Sequence, residues 1–540
     1  MKNFILRFSF AIFVFSSVCL SINAQSRTDI FAITNARIVT VSVATIPAGT
    51  VVIRDGLIES VGENVKIPAD ARVIDGTGLT VYPGLFDAYS NLGIPARATT
   101  QPGQTQTTQP VSNSNYPDGL RPEDSVITVL KAGDAQFETN RNAGFTTVLT
   151  VGRDGVFNGQ SAVINLAGDS VSAMIIRAPF AEHVTFRTLG GTYPTSLMGS
   201  YSALRQMLLD AKRLQEWKKL YAANPLGTRR PPQDASLEAL FPVIDGAMPV
   251  VMNANTENEI IRALDLAKEF NLKAMIAGGQ EAWKVADRLK NQNIPVLLSL
   301  NFPKRTAAVS TEADAEPLEI LRLRAETPKG AARLQAAGVK FAFQSGGMTS
   351  IGDFLTNAAK AIENGLDRAA AIRAMTLGSA ELLGVDNRLG SIETGKIANL
   401  VVVRGDIFAK DKTIAHVFVD GKMFEQKEKP KTVTSTTTGS VTNVGGNYNI
   451  TVQIAGQPAQ WTFNFTQQES ILTGNVVTPN GSKPIKDGKV TADSFNFSAS
   501  IELGNSTNDV VFNGKITGNQ ISGTVSTTAG AFPFSGTKIP

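Results

Sequence analysis

The stretch "LTVYPGLFDAYSNLG", Leu79 to Gly93, decides how the rest of this 540-residue chain is read. An apolar run ends at Pro83-Gly84, restarts as "LFDAY", and stops in the polar turn Tyr89-Ser90-Asn91. A strand that is apolar along its length and then hands over to a polar turn belongs in a parallel sheet covered by helices. Function in such folds collects at the carboxyl ends of the strands.

Working outward, the chain before this stretch reads as short alternating strands. They are "FAITNARIVTV", "GTVVIRDGLIESVG" and "ARVIDGTGLTV", with Asp55-Gly56 as a hairpin turn. After it comes "ARATTQPGQTQTTQPVSNSNYPD", rich in Gln, Thr, Pro and Ser and read as a loop. Strand and helix patterns then alternate. "AGFTTVLTVG", "MPVVMNAN", "LKAMIAGG", "IPVLLSL" and "VKFAFQSGG" are strands. "TENEIIRALDLAKEF", "EAWKVADRLKNQN", "GAARLQAAG", "DFLTNAAKAIENG" and "DRAAAIRAMTLGSAELLG" are helices, as is the pattern from Ser202 to Ala223. Thr256 and Glu259 form a capping box, and Asn271 suits a left-handed stop. This alternation predicts an α/β fold, a distorted (β/α)8 barrel. Strands return in "GSIETGKIANLVVVRGD" and "IAHVFVDGKMFE", with Asp420-Gly421 as a second hairpin turn, and are expected to join the opening strands.

The resulting plan has a leader over 1–24 and a composite β-sandwich domain from 25–82 and 388–424. The barrel occupies 83–387, a polar linker 425–440, and a C-terminal all-β meander of about eight strands 441–540. Trp461, Phe463, Phe465, Phe495, Phe497 and Phe512 alternate along that last region and are expected to fill its core.

Composition bounds the function. The chain is 42% hydrophobic and 18% charged, which is globular. Its formal net charge of +4 falls to +2 once Lys2 and Arg7 of the leader are set aside, so no nucleic-acid partner is expected. Lys2 and Arg7, the apolar "FSFAIFVF" and the small residue Ala24 read as a secretory signal. Export to a periplasm or the cell exterior is the expectation, with no membrane span left after the signal is removed. The one cysteine, Cys19, lies in the leader, so the rest of the chain has no disulfide or thiolate chemistry.

Residues 30 to 424 resemble the amidohydrolase superfamily, in its secreted imidazolonepropionase-like and dihydroorotase-like branch. The stretches that carry the resemblance are "VVIRDGLIESVG", "VIDGTGLTVYPGLFDA", "AGFTTV", "RALDLAKEFNLKAMIAGGQEAWKVADRL" and "LGSIETGKIANLVV". The resemblance implies hydrolysis of C–N bonds, chiefly in cyclic amides, assisted by zinc or another divalent metal. It also implies a ligand set: an H-x-H after strand 1, a histidine on each of strands 5 and 6, and an aspartate on strand 8. Carried over, these fall on Tyr89 and Asn91, on Asn253, on Gly278 (Ala277 one residue earlier), and on Gly346. None has a ligand side chain of the required kind. The histidine count agrees without any alignment, because His183 and His416 cannot supply four imidazoles.

The expectation is therefore an exported pseudoenzyme with no cofactor. It binds a small molecule or pairs with an active homologous subunit, as a homo- or hetero-oligomer. Two other readings stay open: a C–N hydrolase with an atypical site, and an envelope binding protein acting through its C-terminal module. Asp87 and Asp154 lie near strand ends, and the resemblance places Asp87 outside the metal shell. The remaining mouth is expected to be polar and neutral to basic. Its candidates are Arg153 after strand 2, Asn255 after strand 5, Gln280 after strand 6, Asn301 and Lys304 after strand 7, and Gln344 with Ser345 after strand 8. His183, in "PFAEHVTF", reads as a satisfied loop histidine rather than a base.

Overall fold

The computed structural model describes residues 30–95, 115–152, 155–189, 193–305, 316–425, 443–454, 457–479, 481–503, 506–527 and 530–539. The leader, most of the Gln/Thr/Pro-rich segment, Arg153, Asp154 and the linker lie outside these residues. The chain divides into two compact units, 1–427 and 428–540. Among the described residues, no helix is long and apolar enough to cross a membrane.

The first unit opens with β1 (Phe31–Ile38), β2 (Ile46–Arg54), β3 (Leu57–Gly62), β4 (Arg72–Asp75) and β5 (Leu79–Pro83). Asp55 has the positive φ that a tight hairpin requires between β2 and β3. Next come β6 (Leu85–Ser90), β7 (Phe145–Thr150), β8 (Phe157–Gln160), β9 (Ala162–Asn165) and β10 (Ile175–Arg177). They are followed by β11 (Glu182–Thr185), β12 (Val250–Ala254), β13 (Ala274–Gly278), β14 (Val296–Ser299) and β15 (Phe341–Gln344). The chain then returns through β16 (Leu400–Arg404), β17 (Thr413–Val419) and β18 (Lys422–Glu425).

Strands from both flanks share one eight-stranded sheet, in the order β18-β17-β16-β5-β1-β2-β3, with β4 beside β1. The sheet folds back on itself, since Phe31 of β1 and Phe418 of β17, with β5 and β16 between them in that order, meet at 5.3 Å between ring centroids. β5 pairs with β1 on one side and antiparallel with β16 on the other, so the two flanks run on as one sheet. Phe31, Ile53, Val81, Val402 and Phe418 fill its core.

β11 to β15 form a parallel ladder edged by antiparallel β8, and β6 and β7 run parallel with antiparallel β9 and β10 beyond them. Phe86, Leu149, Val251, Ala277, Leu297 and Ala342, drawn from both sheets, meet in one apolar cluster. The sheets also touch directly, where the Ser345 amide donates to Asp87 Oδ1 at 2.9 Å. β8 to β11 carry three or four residues each, too short for periodicity to signal.

The helices cover the outer face. Helix Glu257–Phe270 is closed at its start by the reciprocal Thr256/Glu259 box and at its end by Asn271, at φ +52°. It buries Ile260, Ala263, Leu264, Leu266 and Ala267. Two predicted helices are modified. "EAWKVADRLKNQN" begins as a 3-10 turn, Ala282–Val285, before Ala286–Asn291 becomes α-helical. "DRAAAIRAMTLGSAELLG" is two helices, Arg368–Ala374 and Leu377–Leu383, because Thr376 at φ −137°, ψ −104° breaks the ladder. Helix Leu197–Ala223 starts five residues before Ser202, where the Ser196 side chain caps it.

The second unit is an eight-stranded closed antiparallel barrel. Its strands are β19 (Gly446–Ile454), β20 (Gln457–Gln468), β21 (Ile471–Thr478), β22 (Gly481–Thr491), β23 (Ser494–Leu503), β24 (Ser506–Thr517), β25 (Gln520–Thr527) and β26 (Gly530–Lys538). β26 pairs back onto β19 and leaves no open edge. Trp461, Phe463, Phe465, Phe495, Phe497 and Phe512 are buried together, with Phe497 and Phe512 stacked at 4.6 Å.

Candidate functional site

The carboxyl ends of the strands surround an open cavity of about 350 Å³, a volume suited to a small molecule. All five positions mapped from the resemblance line it: Tyr89, Asn91, Asn253, Gly278 and Gly346. Asn255, Gln280 and Gln344 line it too.

Strand 1 delivers its two residues through an irregular register between Asp87 and Ser90. Tyr89 is set deep, with its ring 5.5 Å from the His183 ring. Burial pushes its hydroxyl up to about 12 against the opposing effect of a hydrogen bond with Asn253, so it stays neutral. The Asn91 amide donates to Val151 O at 2.7 Å, tying strand 1 to strand 2.

Gly278 and Gly346 are where the mouth departs from a metal site. Gly278 sits at φ +91° and Gly346 at φ +58°, conformations L side chains rarely adopt. A Cβ on Gly278 would run into Asn255 Oδ1, and one on Gly346 into Ser299 Oγ. The space a strand-6 imidazole or strand-8 carboxylate would enter is thus taken by a carboxamide and a hydroxyl. Shifting strand 6 by one residue changes nothing, because Ala277, the register partner of Asn253, is packed in the apolar cluster.

Ser345 does not line the cavity; its backbone N–H donates to Asp87 Oδ1 at 2.9 Å, and its side chain also bonds that carboxyl group. Asn301 sits behind the lining. Its backbone N–H donates to Ser299 Oγ at 3.1 Å, its amide to Gly346 O at 3.2 Å, and its own carbonyl accepts from Gln280 Nε2 at 3.4 Å. Lys304 is no part of the lining; it is exposed and paired with Asp353 at 2.7 Å. Arg153 lies outside the described residues.

The structure adds Asn158, Thr185, Arg187 and Ser299, with Gly152 and Gly347. Thr185 Oγ1 donates to Asn158 Oδ1 at 2.7 Å across the β8/β11 pair. Ser299 was open to detection, since it follows Leu297 at the next inward position of β14.

Three buried ionisable groups lie around the cavity without lining it. Asp87 accepts from the Ser345 and Tyr89 amides, yet desolvation raises its pKa to about 6. His183 is a strand residue on β11, not a loop residue as expected. Burial holds it down at about 3, so it is neutral. His183 Nε2 lies 2.8 Å from Ser161 Oγ, which is also 3.2 Å from Ala181 O. Glu182 faces the opposite side of β11, against Leu204, Leu208 and Met252. Desolvation first, then Asp124 and Glu123, push it well above the ordinary carboxylate range.

Hydroxyls, carboxamides and glycines at these positions do not fit a divalent first-row metal, which takes imidazole, thiolate and carboxylate. Among the described residues, no three His, Cys, Asp or Glu side chains converge to hold one.

The profile of the Amidohydrolase family matches residues 80–424. Amidohydrolase tasK from Hapsidospora irregularis is 25% identical over 404 residues, 69% of this chain and 39% of that protein, so the match takes in under half of that relative. A solved amidohydrolase from Thermotoga maritima superposes with a TM-score of 0.61 at 25% identity, covering 73% of this chain and all of the other.

Proposed function

Because this chain belongs to the amidohydrolase family, we propose that it is an exported pseudoenzyme of that family. It has exchanged its metal site for a metal-free binding site at the mouth of a distorted (β/α)8 barrel. On this reading it belongs to the secreted imidazolonepropionase-like and dihydroorotase-like branch. Residues 1–24 are the export signal, and 83–387 the barrel.

One observation carries the proposal. The strand-6 and strand-8 positions are glycines at positive φ, and Asn255 and Ser299 fill the room their side chains would need. Loss of ligands alone would leave a hole where they had been. Here neighbouring polar groups occupy the place, as expected of a mouth rebuilt for another use. Stability comes from the packed strands and helices, so loop chemistry can change without loss of the fold. The C-terminal barrel is filled by its own aromatic side chains, which favours the mouth of the first unit as the binding place.

Hydrolysis assays test this. The full chain is supplied with zinc, manganese or magnesium and offered cyclic amides, N-acyl amino acids and prolyl dipeptides. No turnover above a heat-inactivated control is expected. Turnover that a chelator abolishes and added metal restores would overturn the proposal.

A further inference from the structure

We propose that the ligand of this cavity is a neutral polyhydroxylated solute, of the size of a monosaccharide or cyclitol. The inference rests on the metal-free binding site argued above.

The arrangement of polar groups carries it. Asn158, Thr185, Asn255, Gln280, Ser299 and Gln344 line the cavity, and each belongs to a different strand or the turn after it. Hydrogen-bonding groups therefore line the cavity along the whole of the six-stranded sheet, one from each strand, with Tyr89 and Asn91 joining the lining from β6 and the turn after it. A ligand with an apolar edge would set that edge against carboxamides or hydroxyls. Burying those unpaired would cost about 1–3 kcal/mol each. A ring bearing hydroxyls round its whole perimeter meets such a lining with no apolar edge.

The kind of group agrees with the placement. Gln344 spends its amide on Leu297 O at 3.1 Å, while its Oε1 is buried with no partner among the described residues. It requires a donor from the ligand. Asn158 uses its Oδ1 on Thr185, which turns its amide toward donating. A hydroxyl answers both demands with a single atom, since it donates and accepts. Charge points the same way. Among the described residues no carboxylate lines the cavity, and the cationic side chain on its lining is Arg187, which is exposed. A hydroxyl can accept from a guanidinium as readily as a carboxylate can, whereas an ammonium group would find no counter-charge.

The test is isothermal titration of the full chain with D-glucose, D-galactose and myo-inositol, against hydantoin and glutamate. Titration is chosen because polyols stabilise proteins without specific binding, which would confuse a melting assay. Saturable binding of at least one polyol is expected, with none of hydantoin or glutamate. Asn158→Ala and Gln344→Met should each weaken it about tenfold, the loss of one hydrogen bond to a buried partner. Gln344→Met also removes the bond to Leu297 O, so the half-buried Asn158→Ala keeps the test valid if that variant misfolds. Absence of saturable heat from every polyol, or binding confined to hydantoin or glutamate, would overturn the inference. Chelator-sensitive hydrolysis would instead bring down the metal-free reading beneath it. No turnover and no polyol binding would remove this inference alone.

Discussion

Asp87→Asn should make the first unit more stable at neutral pH, by an amount that vanishes in acid. Asp87 is buried beside the contact between β6 and β15, where it accepts from the Ser345 and Tyr89 amides. Those bonds do not offset its desolvation, and its pKa rises from 3.8 to about 6. Below pH 3.8 the carboxyl is protonated both folded and unfolded and contributes no pH dependence. Between 3.8 and 6 the unfolded chain gives up the proton and the folded chain keeps it, so stability falls as pH rises. Above 6 the whole penalty applies. At 1.36 kcal/mol per pKa unit, the shift corresponds to roughly 3 kcal/mol. The neutral Asn carries no such penalty and keeps an oxygen to accept one of the two amides. Urea unfolding is measured from pH 4 to pH 8 in a Trp461→Phe background, so that Trp217 and Trp283 report the first unit alone. The gain of the variant over its parent should grow by about 2.5 kcal/mol across that range, with most of the change complete by pH 7. A difference that is flat with pH, or grows toward acid, would refute the reasoning.

Other changes follow from the same structure. Glu182→Leu removes a buried carboxyl group that desolvation already penalises and leaves a side chain matched to its apolar neighbours; it should stabilise the first unit by about 1–3 kcal/mol in urea unfolding at pH 7. Gly278→His and Gly346→Asp, which reinstate two of the expected ligands, should each cost about 1–3 kcal/mol in backbone strain, and more from the clash with Asn255 or Ser299. Even with Tyr89→His, Asn91→His and Asn253→His added, zinc titration of the refolded protein should show no site tighter than the parent's. Phe463 is fully buried against Phe497, Phe512 and Phe534, so Phe463→Ala should destabilise the C-terminal barrel by about 3–5 kcal/mol, read from Trp461 fluorescence, and leave the first unit's transition in place.

What the sequence revealed followed the strength of its local signals. The Thr256/Glu259 box, the Asp55-Gly56 and Asp420-Gly421 turns and the alternating aromatics past Val441 each rest on a short-range rule, and each appears in the structure in the form that rule demands. β8 to β11 escaped notice because three or four residues show no period. Asn158, Thr185 and Arg187, carried on or just after β8 and β11, were missed with them. Lys304 looked like a lining residue because it follows a strand. Sequence position gives no side-chain direction beyond the strand's end, and Asp353 draws it away. The glycines show the deepest limit. Gly278 and Gly346 read as vacancies in the sequence, and only coordinates show which neighbours occupy the space.

The central claim is that this mouth no longer holds a catalytic metal because its chemistry has been rebuilt around carboxamides and hydroxyls. Elemental mass spectrometry of the full chain, expressed with excess zinc and manganese and then dialysed, tests it most directly. Well under about a tenth of an equivalent of any transition metal per chain is the predicted result. About one equivalent that resists dialysis, leaves with a chelator and returns on reloading would contradict the account.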